Sequence, residues 1–130
     1  MKILVGYDGS NAGKEALDVA IKHARVFQGK LYIIRSMTSG RKEEMTEIEA
    51  AEKELEYGEN LCQKQNVSCE THLLIRGMSP GEDIVAFANE NGIEMIVVGV
   101  KRRSRVGKIF FGSNARYVIM EASCPVLTVK

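Results

Sequence analysis

Five short runs of apolar and β-branched residues punctuate the chain: Lys2 to Tyr7, Lys30 to Ser36, Val67 to Leu74, Met95 to Gly99 and Val126 to Val129. Ile3-Leu4-Val5, Leu31 to Ile34 and Ile96-Val97-Val98 are nearly continuous in their apolar character, which predicts strands covered on both faces. Val67 to Leu74 instead interleaves Ser68, Glu70 and His72 with apolar neighbours. That alternation predicts an edge strand, with His72 in solvent rather than in chemistry.

Helical spacing fills the intervals. Ala115, Val118, Ile119 and Ala122 fall at i, i+3, i+4 and i+7, an apolar face for the sheet. Ile48, Ala51, Leu55 and Cys62 keep the same phase through Glu43 to Gln65, whose Glu and Lys residues suit a solvated opposite face. Ser79, Pro80 and Glu82 read as a capping box with proline at the first helical position, and Gly29 and Gly92 stand where helices should stop. His23, on the first helix, has no nucleophile or carboxylate placed beside it and is read like His72. The aperiodic run Ser36 to Lys42 is expected to be a loop able to move over a ligand. Strict alternation of strand and helix predicts an α/β fold: an open, five-stranded, parallel, doubly wound sheet with helices on both faces.

Composition narrows the function. The 130 residues, with 45% hydrophobic content, suit one domain, residues 1–130, with a core of its own. Eighteen Lys and Arg against 17 Asp and Glu give a net charge of +1, so no global basic field argues for nucleic acid or a membrane surface, and neither partner is expected. Cys62, Cys69 and Cys124 form no C-x-x-C pair and have only His23 and His72 to join them, so a protein-held metal is not expected. Read as reduced packing residues, the cysteines fit a reducing compartment, and a cytoplasmic location is expected. The opening apolar run, Ile3 to Val5, is too short for a signal-peptide core, and no stretch approaches the roughly 20 residues of a membrane span.

In such a sheet the ligand crevice opens beyond the carboxyl ends of the strands, where the winding direction reverses. With the first strand central, two loops flank it: Tyr7-Asp8-Gly9-Ser10, and Gly99 to Gly107 with Lys101, Arg102, Arg103 and Arg105. Gly112-Ser113 opens the last helix and offers free amides, a hydroxyl and the positive end of a dipole to a phosphate. Each residue also has a plainer explanation: Asp8 as a turn acid, Gly99 and Gly112 as turn or packing glycines, Ser113 as an N-cap.

Ile3 to Ser10, Met95 to Gly99 and Cys124 to Val129, with Arg76-Gly77 before Ser79-Pro80, resemble the universal stress protein family along the whole chain. The resemblance implies a Rossmann-like sheet with strand order 3-2-1-4-5. ATP-binding members carry Gly-x-x-Gly, nine residues, then Gly-Ser or Gly-Thr. Gly99 and Gly112-Ser113 match that pattern, whereas Arg102 replaces its second glycine. An arginine cannot take a positive φ without a penalty of about 1 to 2 kcal/mol, although its guanidinium can itself bind phosphate. By resemblance the cofactor is ATP, with magnesium carried on the nucleotide. Asp8 would face the ribose or that metal, Tyr7 and Ser36 would line the adenine side, and Gly77 would border the cleft. Gly99, Gly112, Ser113 and Asn114 would cradle the phosphates, with Arg102 beside them.

The expected function is thus a stress-response module that binds an adenine nucleotide, as a homodimer joined through the edge strand Val126 to Val129. The alternative is a dimeric scaffold of the same fold without nucleotide. No general base stands beside a positioned nucleophile and no Gly-x-x-x-x-Gly-Lys-Ser/Thr loop is present, so no more than slow ATP hydrolysis is expected. A phosphoacceptor receiver domain would need an acid where Leu74-Ile75-Arg76 ends the third run.

Overall fold

The computed structural model describes residues 1–38, 45–102 and 109–130, apart from the side chains of Arg102, Ile109 and Phe110. Its elements are β1 (Lys2–Gly6), α1 (Asn11–Phe27), β2 (Lys30–Met37), α2 (Met45–Lys64), β3 (Ser68–Ile75), α3 (Pro80–Asn91), β4 (Met95–Gly99), β5 (Lys101–Arg102), β6 (Ile109–Phe110), α4 (Ser113–Glu121) and β7 (Val126–Val129). Positions 39–42 of the expected mobile loop, and Arg103 and Arg105 of the basic loop, lie outside the described residues.

The main sheet is parallel throughout, in the order β3-β2-β1-β4-β7, which is the predicted order with β7 as fifth strand. Its two faces are covered by different helices because alternate residues of each strand point to opposite sides. Ile3, Val5, Leu31, Ile33 and Val97 pack under α1 and α2 through Leu17, Ile21, Leu55 and Cys62. Leu4, Tyr32, Ile34, Ile96 and Val98 pack under α3 and α4 through Ile84, Phe87, Ala88 and Val118. Strands apolar on both faces are what this arrangement demands, since neither side meets water. A two-stranded antiparallel ladder, Lys101 to Phe110 and Arg102 to Ile109, follows β4.

Several details depart from the sequence expectation. His72 lies on the edge strand but is only half-exposed: its ring stands 5.0 Å from Phe87 and stacks on Tyr32, and Nε2 meets Glu70 at 3.1 Å. An edge strand is open along its hydrogen-bonding side, while its faces remain available to packing. His23 is likewise half-buried, with Nδ1 on the Val19 carbonyl at 2.9 Å. Ile119 is exposed, because α4 covers only the margin of the sheet and its buried stripe narrows to Val118. Gly112, not Ser113, is the N-cap of α4, and the Ser79 hydroxyl donates to Glu82 Oε1 (2.7 Å) instead of capping an amide. At the end of α1 the left-handed position falls on Gln28 (φ 51). Gly29 is needed for room, since a Cβ there would collide with the Met1 carbonyl.

Candidate functional site

A cleft of about 340 Å³ opens where the winding reverses, between β1 and β4. The carboxyl ends of β1, β2 and β4 form its floor through Gly6, Tyr7, Ile34, Ser36, Val98 and Gly99, and the first turns of α1, α3 and α4 form its rim. Of the residues singled out from sequence, Tyr7, Asp8, Ser36, Gly99 and Asn114 come together here. Gly77 takes φ +74 in the turn before α3, outside the lining, and Gly112 and Ser113 lead into the lining at Asn114. Arg102 stands opposite Ile109 in β5, just beyond the lining residue Lys101.

The three helix starts are not equivalent. That of α1 is capped from within: the Ser10 hydroxyl accepts from Gly13 N–H (3.1 Å) and donates to Asp8 Oδ1 (2.5 Å), which also accepts from Ser10 N–H (3.0 Å). At α3, Gly81 N–H donates to Asn114 Oδ1 (2.9 Å), so the Asn114 NH₂ is the part left to face a ligand. The α4 start has no side-chain cap among the described residues. Its N-cap, Gly112, has an ordinary φ of −64, and among the described residues nothing lies within 4 Å of the place a Cβ would occupy. Among the described residues, neither conformation nor crowding explains this glycine. Gly99 has such an explanation: a Cβ on it would lie 2.6 Å from the Ala12 carbonyl carbon.

Charge is laid out across the cleft. Burial opposes ionisation of Asp8, but the hydroxyl and amide of Ser10, followed by the nearby Arg35 guanidinium, outweigh it and hold the carboxyl below its ordinary value of 3.8. Arg35 lines the cleft, and its Nη1 is 3.8 Å from Glu54 Oε2; Arg35 Nε and Glu54 Oε2 are both buried with no hydrogen-bond partner among the described residues. Tyr7 is pushed up chiefly by burial and stays neutral. Behind the floor, Asp83 is fully buried: Oδ2 accepts from the Ser36 hydroxyl (2.7 Å) and Oδ1 from Arg76 Nε (2.6 Å). Arg76 also reaches Glu90 (3.0 Å), and the two carboxylates raise its pKa further.

Periodicity singles out neither Arg35 nor Asp83. Arg35 is one polar residue inside an apolar strand, and a charge there is a signal. Asp83 falls in helical phase with Pro80, Ile84 and Phe87, an acid on a buried stripe. Its partner Ser36 is 47 residues away, a separation no local pattern reveals.

A parallel doubly wound sheet with a cleft at its reversal point defines an open, Rossmann-like α/β protein. The sequence model of the Universal stress protein family matches residues 1–130. A universal stress protein of Methanocaldococcus jannaschii is 31% identical, covering 99% of this chain and 81% of its own. One from Thermus aquaticus is 33% identical, covering 98% and 97%. The structure of a universal stress protein from Archaeoglobus fulgidus superimposes with a TM-score of 0.90 at 36% identity, covering 100% of this chain and 98% of that one. A second Archaeoglobus structure, in complex with dAMP, gives 0.81 at 34% identity, with coverage of 100% and 98%. The chain belongs to the universal stress protein family.

Proposed function

We propose that this protein binds an adenine nucleotide, ATP, in the cleft and uses occupancy to bias its shape or its partners in a stress response. The start of α4, with no side-chain cap and with a glycine that nothing crowds among the described residues, carries this reading. Free amides, the helix dipole and open space at Gly112 suit a phosphate, and Ser113 and the Asn114 NH₂ add donors. The dAMP complex of a relative 34% identical supports the ligand class. In this reading Asp8 faces the ribose or a nucleotide-bound magnesium, for which its second oxygen is left over. Tyr7 and Ser36 lie at the base, Gly77 forms the turn that leads to Pro80 on the rim, Gly99 lets the chain pass close to α1, and Arg102 supplies a cation. Magnesium is commonly held by one or two carboxylates together with substrate phosphates, and this donor set fits that habit. Burial raises all three thiols, Cys62 to about 12, so they stay protonated packing residues, and a cytoplasmic location is part of the same proposal.

Gly112→Ala tests the cradle. The substitution should leave stability within about 1 kcal/mol, because φ is ordinary and space is free. It should weaken ATP about tenfold while leaving adenosine unchanged, since only ATP carries the excluded anion. Calorimetry with both ligands decides: equal losses for both would contradict a phosphate role. One observation favours the scaffold alternative, namely that contact with Ala12 alone accounts for Gly99. Absence of binding by ATP and adenosine alike would establish it.

A homodimer through β7 is part of the same proposal. Bonds from Ile96 N–H to Pro125 O (3.0 Å) and from Val100 N–H to Val129 O (2.8 Å) tie one side of β7 to the sheet. Alternation then aims the Val126 and Thr128 N–H groups outward. Exposed Tyr117 and Met120 on neighbouring α4 add apolar surface. Such an edge invites pairing. Thr128→Pro removes an outward donor without breaking a ladder bond, so sedimentation should show a dimeric parent and a largely monomeric variant. A monomeric parent at micromolar concentration would refute the dimer.

A further inference from the structure

We propose that Ser36, Asp83 and Arg76 form a base-selecting device that admits a nucleobase presenting an amino group and disfavours one presenting a carbonyl. The inference rests on the nucleotide reading above and adds to it a reason for base choice. Along β2, Tyr32 and Ile34 face α3 and α4, and Ser36 continues that face two residues on, at the cleft floor. A hydroxyl has one proton and two lone pairs. That proton is committed, because Ser36 Oγ donates to Asp83 Oδ2 at 2.7 Å. Asp83 is the acceptor of this pair, and its other oxygen accepts from the Arg76 guanidinium. Among the described residues nothing else bonds this hydroxyl, so what Ser36 shows to the cleft is an acceptor only.

An acceptor rewards a donor on the ligand. The 6-amino group of adenine supplies an N–H, while hypoxanthine and guanine place a carbonyl oxygen at that position and would set lone pair against lone pair. Arg76 fixes the polarity, since it holds Oδ1 and so leaves only Oδ2 for Ser36. Glu90 in turn anchors Arg76. None of the three residues is placed at the phosphates, so base choice and phosphate binding can be separated by experiment.

Calorimetric titration with ATP and inosine triphosphate provides the test, with adenosine and inosine as phosphate-free controls. The parent should prefer ATP about tenfold or more, and Ser36→Ala should bring the two triphosphates within about threefold. Asp83→Asn should go further. Its amide oxygen stays with Arg76, its NH₂ donates to Ser36 Oγ, and the freed hydroxyl proton can serve a carbonyl, so the preference should shift toward inosine triphosphate. If Asp83→Asn fails to fold by thermal melting, Ser36→Ala decides alone. Equal binding of both triphosphates by the parent, or undiminished preference in Ser36→Ala, overturns the device and leaves nucleotide binding standing. Failure to bind any of the four ligands overturns both.

Discussion

Gly99→Ala is expected to destabilise the fold by about 3 kcal/mol, lowering the melting temperature by roughly 10 °C in a domain of this size. The cost is high for one methyl group because of what it meets. An alanine Cβ would sit 2.6 Å from the Ala12 carbonyl carbon, with the carbonyl oxygen nearer still, and backbone cannot swing aside as a side-chain tip can. Relief requires α1 to move away from the end of β4. Ala12 and Ser10 both line the cleft, so the movement also disturbs the seat of Asp8. Gly99→Ala should therefore weaken every ligand of the cleft together, whereas Gly112→Ala should act on phosphate alone. Differential scanning calorimetry measures the stability term, and a loss below about 1 kcal/mol would show that α1 and β4 are not packed as tightly as the structure has them.

The contrast between these two glycines also shows what a sequence can carry. Both match one motif, and nothing in their spacing says that one is required by packing and the other is uncrowded among the described residues. The distinction depends on Ala12, which is distant in sequence and becomes a neighbour only when α1 docks on β4. The sheet order is more legible. Ile3-Leu4-Val5 and Ile96-Val97-Val98 are apolar on both faces because they are central, and Ser68, Glu70 and His72 interrupt β3 because it is an edge. The two-residue strands β5 and β6 are too short for any periodicity to register. Ser36 is legible as a polar residue ending a strand, but its donor and acceptor assignment belongs to Asp83 and Arg76. Asp83 reads in sequence as an ordinary first-turn acid of α3, a place where acids are favoured by the helix dipole alone. The donor and acceptor pattern of this cleft depends on long-range pairs, and those are written in three dimensions.

Asp8→Ala is expected to weaken ATP binding by about 1.5 to 3 kcal/mol, roughly 10- to 150-fold, the range for losing a hydrogen bond to a charged group. Part of any effect could come through the fold, because Asp8 Oδ1 accepts from both the amide and the hydroxyl of Ser10 at the start of α1. The Ser10 cap on Gly13 survives that loss, so the stability cost should stay near 1 kcal/mol. Asp8→Asn separates the two contributions. Its side-chain oxygen can still accept from the Ser10 amide, keeping the turn, while its other atom becomes an NH₂ that cannot bind a metal ion and accepts nothing. If the carboxylate bonds the ribose, both variants should lose affinity for ATP and adenosine equally, with or without magnesium. If it acts through the metal, adenosine should be unaffected, and the ATP deficit should disappear when magnesium is chelated, because the parent then falls to the variants' level. Titrations of parent, Asp8→Ala and Asp8→Asn under both conditions distinguish these cases, and unchanged affinities in all of them would remove Asp8 from the site.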